Sequence, residues 1–139
     1  MACTLGIDHG SKRIGLAISD PGGTIALPAG TLESRGLERD LAAIREVVEA
    51  RQVERIVVGL PLHMDGRPGR QAEAAREFAE RLAEEFGLPV DTIDERWTTR
   101  EAERALRATG RRGREKRARI DSVAAALLLR TYLEREGRR

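Results

Sequence analysis

The chain has 139 residues and a formal net charge of +2, and 40% of it is hydrophobic, enough for one core of ordinary domain size. No apolar run is long enough to span a bilayer, and no basic region followed by an apolar stretch opens the chain, so the expectation is a cytoplasmic protein with no membrane partner. Cys3 is the one cysteine, which excludes an internal disulfide and a thiolate metal cluster.

The first segment, Cys3 to Asp8, alternates and runs into the turn signal His9-Gly10-Ser11. Arg13 to Ser19 alternates again, with Ile14, Leu16 and Ile18 on one face and Gly15 and Ala17 on the other, and the two runs predict a β-hairpin. After Pro21-Gly22-Gly23, a third strand is predicted from Thr24 to Leu32, and Pro28 pushes it to a sheet edge. Leu37, Leu41, Ile44 and Val48 then recur at helical spacing, with Ser34 available as a cap. Arg55 to Gly59 holds the continuous run Ile56-Val57-Val58, which predicts a strand covered on both faces.

A loop with Pro61, Gly66 and Pro68 follows, and Leu60, Leu62 and Met64 are candidate exposed apolar residues, which packing around a functional site would explain equally well. A helix is predicted from about Gly69 to Phe86, with Ala75, Phe78, Leu82 and Phe86 inward and Gly87 ending it. Leu88 to Ile93 reads as a short strand. Thr98 and Glu101 form a capping-box pattern that opens a short helix stopping at Gly110. The last helix is predicted from Ile120 to Arg135, on a packed stripe of Ile120, Val123, Ala124 and Leu127. Three strands followed by alternating helices and strands give an α/β fold, a mixed five-stranded sheet with helices on its faces.

Charge is distributed unevenly. Residues 1–95 carry 11 basic and 17 acidic side chains, whereas 96–139 carry 14 basic and 6 acidic. The densest part holds Arg107, Arg111, Arg112, Arg114, Lys116, Arg117 and Arg119 against Glu115 alone. Such a stripe is the footprint of phosphate contact, although an arginine-rich solvated face reads the same way. Aromatics are only 3%, so stacking platforms for bases are scarce and charge and shape must carry any nucleic-acid binding.

Right-handed crossovers make the first strand parallel to the fourth and fifth, so their C-terminal ends share the edge where open α/β sheets bind ligands. Asp8 ends the first strand and Asp94-Glu95 the fifth. If the chain stays extended there, Asp94 and Glu95 point to opposite faces, and only one can join Asp8. A third acid, Asp121, opens the last helix, where the helix dipole by itself would also favour it. Oxygen-only ligands suit Mg²⁺ or Mn²⁺ rather than zinc, and a pair of such ions can activate water against a phosphodiester. Lys12, Arg13, Arg96, Arg111, Arg112, Arg114, Lys116 and Arg117 are the candidate substrate contacts, the last five forming a loop that leads into Asp121. His9 and His63 are read as surface or turn residues outside this chemistry.

Four stretches resemble the YqgF family, the pre-16S ribosomal RNA nucleases also called RuvX-type Holliday junction resolvases. They are LGIDHGSKRIGLAISD from Leu5 to Asp20, IVVGLPLHMDG from Ile56 to Gly66, DERWTT from Asp94 to Thr99, and RIDSVAAALLLRTYL from Arg119 to Leu133. They stand in the family's order and spacing and span nearly the whole chain. The resemblance implies a single RNase H-like nuclease domain over 1–139, with Asp8, Glu95 and Asp121 as catalytic acids and metal ligands. It further implies a metal-dependent endonuclease that trims the 5′ end of the small-subunit ribosomal RNA precursor, or one that resolves four-way DNA junctions. The partner is then structured RNA or branched DNA, and the state a monomer or a homodimer.

Two other classes compete. An ATP-binding protein of the actin and sugar-kinase type shares an Asp-x-Gly strand end, as in Asp8 to Gly15, but needs two lobes, and 139 residues supply one. A nucleic-acid-binding module that has lost catalysis, as when such a domain serves inside a larger protein, would usually lack one of the three acids, and all three are present. A standalone ribosome-assembly factor that binds without cutting stays an alternative, which salt-dependent binding without cleavage would favour.

Overall fold

The computed structural model describes residues 3–10, 12–60, 69–94 and 113–137, with side chains described from 120 to 136 in the last segment. The two alternating runs form the expected hairpin, β1 (Cys3–His9) and β2 (Arg13–Ser19), closed by the Gly10 N–H donating to the Arg13 carbonyl at 2.9 Å. Leu5 pairs with Ile18, Ile7 with Leu16 and Asp8 with Gly15. Because side chains alternate across a strand, Leu5, Ile7, Ile14, Leu16 and Ile18 enter one core and Ala17 the other. Gly6, Asp8, Arg13 and Gly15 fall on the same face as Ala17.

Strand β3 (Ala26–Glu33) pairs antiparallel with β2 and is an edge of the sheet, as Pro28 predicts. It starts later than expected because Asp20 Oδ1 accepts the N–H groups of Thr24 and Ile25, each at 2.7 Å, which commits both residues to the turn. Helix α1 (Leu37–Ala50) buries Leu41 and Ile44, but Leu37 is 41% exposed. Ser34 is not its cap. Gly36 takes that position at φ 104°, and the Ser34 hydroxyl donates instead to the buried Asp40 at 2.6 Å, beside the Arg35 N–H at 2.9 Å.

Strand β4 (Val53–Leu60) lies parallel to β1, and β5 (Val90–Asp94) parallel to β4, giving the order β3-β2-β1-β4-β5. Ile56, Val57 and Val58 are fully buried, as a strand covered on both faces requires. Leu60 is buried too, among the residues of the first core, and so is not an exposed apolar residue; Leu62 and Met64 lie outside the described residues. Leu88 packs on the core without joining β5, and the Pro89 carbonyl accepts the Ile56 N–H at 3.0 Å. Helix α2 (Arg70–Phe86) follows its predicted bounds and ends at Gly87, whose φ of 64° favours a residue without Cβ.

Helices α1 and α2 cover one face of the sheet, and α3 (Gly113–Gly137) covers the other, so helices lie on both faces of a mixed sheet. Each Leu or Ile buried in these layers contributes about 1.5–3 kcal/mol. The face that α3 buries is only in part the predicted stripe: Ala124 is fully buried as expected, and Ala125, Leu128, Leu129 and Tyr132 pack on Ala17, Val57 and Ile93, while Ile120, Val123 and Leu127 are only half-buried. Its far end is tied down by the Tyr132 hydroxyl, which donates to Asp91, and by Arg55, whose Nη1 donates to Asp91 at 3.1 Å and to Tyr132 at 2.9 Å.

The last helix also starts earlier than Ile120. Residues from Gly113 onward are helical, so Arg114, Lys116 and Arg117 sit on helix rather than on a loop before it. Arg, Lys, Glu and Ala are good helix formers, but without apolar residues they show no period to read. The short helix predicted before Gly110 lies outside the described residues.

Candidate active site

The β1 strand ends beside β4 at the sheet's C-terminal edge, and there Asp8 pairs with Gly15 of β2. Both face α3. The helix crosses so close to this point that a Cβ built on Gly15 would lie 2.0 Å from the Asp121 carbonyl oxygen and 2.4 Å from its carbon. Only glycine permits that approach, and it sets the Asp121 backbone against the strand neighbour of Asp8.

Arg13, two residues before Gly15 on the same face, completes the corner. Its Nε–H donates to Asp121 Oδ2 at 2.6 Å, with the two side chains 32% and 21% exposed. This is a charge-assisted bond of the stronger kind. It also replaces the explanation of Asp121 by the helix dipole. Asp121 lies two turns inside α3, which begins at Gly113, and the dipole acts within the first turn.

At the end of β5, neighbouring residues decide the direction of Asp94. Ile93 packs with α3, and Val90 packs on the core under α1 and α2, so alternation sends Asp94 to the side away from Asp8. Glu95 lies outside the described residues, and among the described ones no three His, Cys, Asp or Glu side chains converge. Asp8 and Asp121, the described acids nearest this corner, are both carboxylates, and Gly15, the strand neighbour of Asp8, carries the Asp121 backbone in close contact. That donor set fits a hard divalent cation such as Mg²⁺ or Mn²⁺.

Of the candidate substrate contacts, Lys12 is exposed at the hairpin turn and Arg13 is engaged with Asp121. Arg96, Arg111 and Arg112 lie outside the described residues. Arg114, Lys116 and Arg117 belong to the first two turns of α3, with Arg117 about 6 Å along the helix axis from Asp121.

His9 departs from its expected role as a surface residue. It ends β1 on the α1 and α2 side, back to back with Asp8, and stacks on Phe78 with ring centroids 4.5 Å apart. Burial holds its pKa below the ordinary imidazole value, partly offset by the negative Asp40. With Ser34, Asp40, Glu77 and Arg81 it lines a cavity of about 310 Å³. Alternation from Asp8 separates His9 from the carboxylates, but its cover by Phe78 has no signal in the sequence. His63 lies outside the described residues.

The profile of the family described as "RuvX: Holliday junction resolvase" matches residues 2–135. A protein of Anaeromyxobacter dehalogenans (strain 2CP-C) named "Putative pre-16S rRNA nuclease" is 48% identical over 134 residues, covering 96% of this chain and 98% of its own. One of the same name from Moorella thermoacetica is 48% identical over 133 residues, covering 96% and 95%. Among solved structures, T. thermophilus RuvC in complex with Holliday junction substrate aligns at a TM-score of 0.63 and 19% identity, over 99% of this chain and 97% of that one. Fowlpox virus resolvase, in complex with substrate Holliday junction DNA, aligns at 0.57 and 10% identity, over 96% and 98%. At these identities the two structures speak for the fold, the RNase H-like arrangement of RuvC.

Proposed function

Because the chain belongs to the RuvX family, we propose that it is a metal-dependent nuclease that processes the 5′ end of the pre-16S ribosomal RNA. The observation that carries the reading is the corner in which Asp8, Arg13, Gly15 and Asp121 meet at the C-terminal edge of the sheet. Asp8, Glu95 and Asp121 are the acids that hold Mg²⁺ or Mn²⁺. Bound there, the cations supply an activated water and stabilisation of the leaving oxygen of a phosphodiester, in a two-ion arrangement.

The chain's own residues supply position and charge. Asp8 projects from a strand buried on both sides, which restricts its movement. Asp121 is kept in place by contact of its backbone with Gly15. Glu95 takes the third role because the family's motif carries an acid there and the direction of Asp94 leaves that residue on the other side. Lys12 and the basic residues from Arg111 to Arg117, with Arg96, draw the phosphate backbone towards the acids. With few aromatics, recognition rests on shape and phosphates, as suits structured RNA. No helix among the described residues is long and apolar enough to cross a membrane, and the proposed substrate places the work in the cytoplasm.

A second reading, resolution of four-way DNA junctions, is favoured by the description of the family itself. A two-fold homodimer would serve it, whereas RNA trimming needs one site per cut. The deciding experiment incubates a labelled panel, precursor ribosomal RNA beside a four-way DNA junction, with wild type and Asp8→Asn in Mg²⁺ or Mn²⁺. Removing a group that merely hydrogen-bonds to a metal ligand costs about 10–100-fold, so removing a ligand is expected to cost at least ~100-fold. Cleavage of the RNA by wild type alone supports the first reading, and cleavage of the junction alone supports the second. Binding without cleavage of either leaves an assembly factor.

A further inference from the structure

We propose that Arg13 is an exchangeable counter-ion: it competes with a divalent cation for Asp121, and once displaced its guanidinium takes a substrate phosphate. The inference rests on the nuclease reading and goes beyond it by giving Arg13 two successive partners. Three observations support it. The Arg13 Nε–H lies 2.6 Å from Asp121 Oδ2, so a guanidinium and a cation would share one carboxylate. The Arg13 side chain is 32% exposed, which leaves it a way out of the corner. Its backbone is fixed in β2, where it pairs with Glu33 on one side and closes the hairpin turn on the other, so only the side chain has to move.

Two positive groups on one carboxylate repel each other, and linkage makes the effect reciprocal: whatever factor the cation takes from the Arg13–Asp121 bond, Arg13 takes from the affinity for the cation. Couplings of this kind are typically 5–150-fold. A displaced guanidinium keeps its five N–H donors in a planar fork that matches a phosphate. Cation and phosphodiester would therefore favour each other's binding through Arg13. A fixed brace would behave in the opposite way. If Arg13 only oriented Asp121, its removal would weaken cation binding by about 10–100-fold.

The test uses the full chain and two readouts. Calorimetric titration with MnCl₂ compares wild type, Arg13→Met and Arg13→Lys. Arg13→Met is expected to bind Mn²⁺ about ten-fold more tightly than wild type, with Arg13→Lys, which keeps a competing charge, between them. In wild type, the ¹⁵N-resolved Nε–H resonance of Arg13 is expected to leave its charge-assisted position on addition of Mg²⁺. It then moves again on addition of dimethyl phosphate, a shift that dimethyl phosphate does not produce without Mg²⁺. Equal or weaker Mn²⁺ binding by Arg13→Met overturns the inference alone, as does an Nε–H resonance that Mg²⁺ leaves in place. Failure of wild type to bind either cation overturns the nuclease reading as well. Should Arg13→Met fail to fold, the wild-type resonance decides.

Discussion

Replacing Gly15 with Ala puts a methyl group into the contact that sets α3 on the sheet. The added Cβ would sit 2.0 Å from the Asp121 carbonyl oxygen, and real Cβ atoms essentially never come within 3.0 Å of such an atom. The obstacle is backbone within a helix, so it cannot turn aside, and the helix must retreat by about 1 Å at Asp121. Overpacking of this kind costs about 1–3 kcal/mol or more. For a chain of this size that lowers Tm by roughly 3–10 °C. Activity should fall further than stability, because a misplacement of ~1 Å at a reacting centre can cost ~100-fold.

Gly6→Ala is the matched control. Its Cβ would meet the Leu129 Cβ at 2.9 Å and the Ala125 carbonyl at 3.2 Å, on the same helix but one to two turns away from Asp121. A shift of tenths of an ångström relieves that contact, at about 1 kcal/mol, and cleavage should survive. Thermal unfolding by circular dichroism, with metal-dependent cleavage of the preferred substrate, measures both variants. A Gly15→Ala protein that melts within about 1 °C of wild type and cleaves at the wild-type rate would refute the close-approach account.

Other expectations follow from the same placement of residues. Asp94→Asn should cleave as wild type does, because Asp94 turns to the α1 and α2 side; a loss like that of Asp8→Asn would show that the fifth strand's acid had been misassigned. His9 has a folded-state pKa below 6.5, so the unfolded chain binds more protons in the interval between the two values. Its contribution is therefore complete above about pH 6.5 and is lost as the pH falls through that interval. Tm should drop more steeply between pH 7 and pH 5 in wild type than in His9→Gln, and parallel slopes would dismiss the burial of His9 as a cause. Replacing Arg111, Arg112 and Arg114 together with Ala should weaken nucleic-acid binding and flatten its dependence on log salt concentration, by about 0.7–0.9 for each phosphate no longer neutralised. Filter binding at several salt concentrations reads this directly, and an unchanged slope means a solvated basic face.

Local patterns along the chain were enough to define the layers of this protein. Alternation in Cys3–His9 and Arg13–Ser19, the continuous run Ile56-Val57-Val58 and the apolar period of α1 and α2 all express the two-residue and 3.6-residue repeats of the backbone. They suffice to place strands, helices and the mixed sheet, and they bring Asp8 to the C-terminal edge of the sheet. Element ends were less legible, because side chains decide them: Asp20 holds back the start of β3, and Asp40 draws in the Ser34 that was expected to cap α1. The start of α3 is not legible in the sequence because its first two turns are charged and carry no apolar period.

What meets Asp121 depends on packing across the molecule. Arg13 stands 108 residues away in the chain, and nothing local to either residue announces a bond between them. The direction of Asp94 likewise depends on which core Ile93 and Val90 enter, and so on which helix covers which face. Gly15 has the same dependence. In the sequence it is one small residue of an alternating strand, and only when α3 packs across the sheet does its missing Cβ become the room that the Asp121 backbone takes. Local periodicity fixes the direction of a side chain relative to its own strand or helix, but contacts across the sheet depend on how those elements pack together.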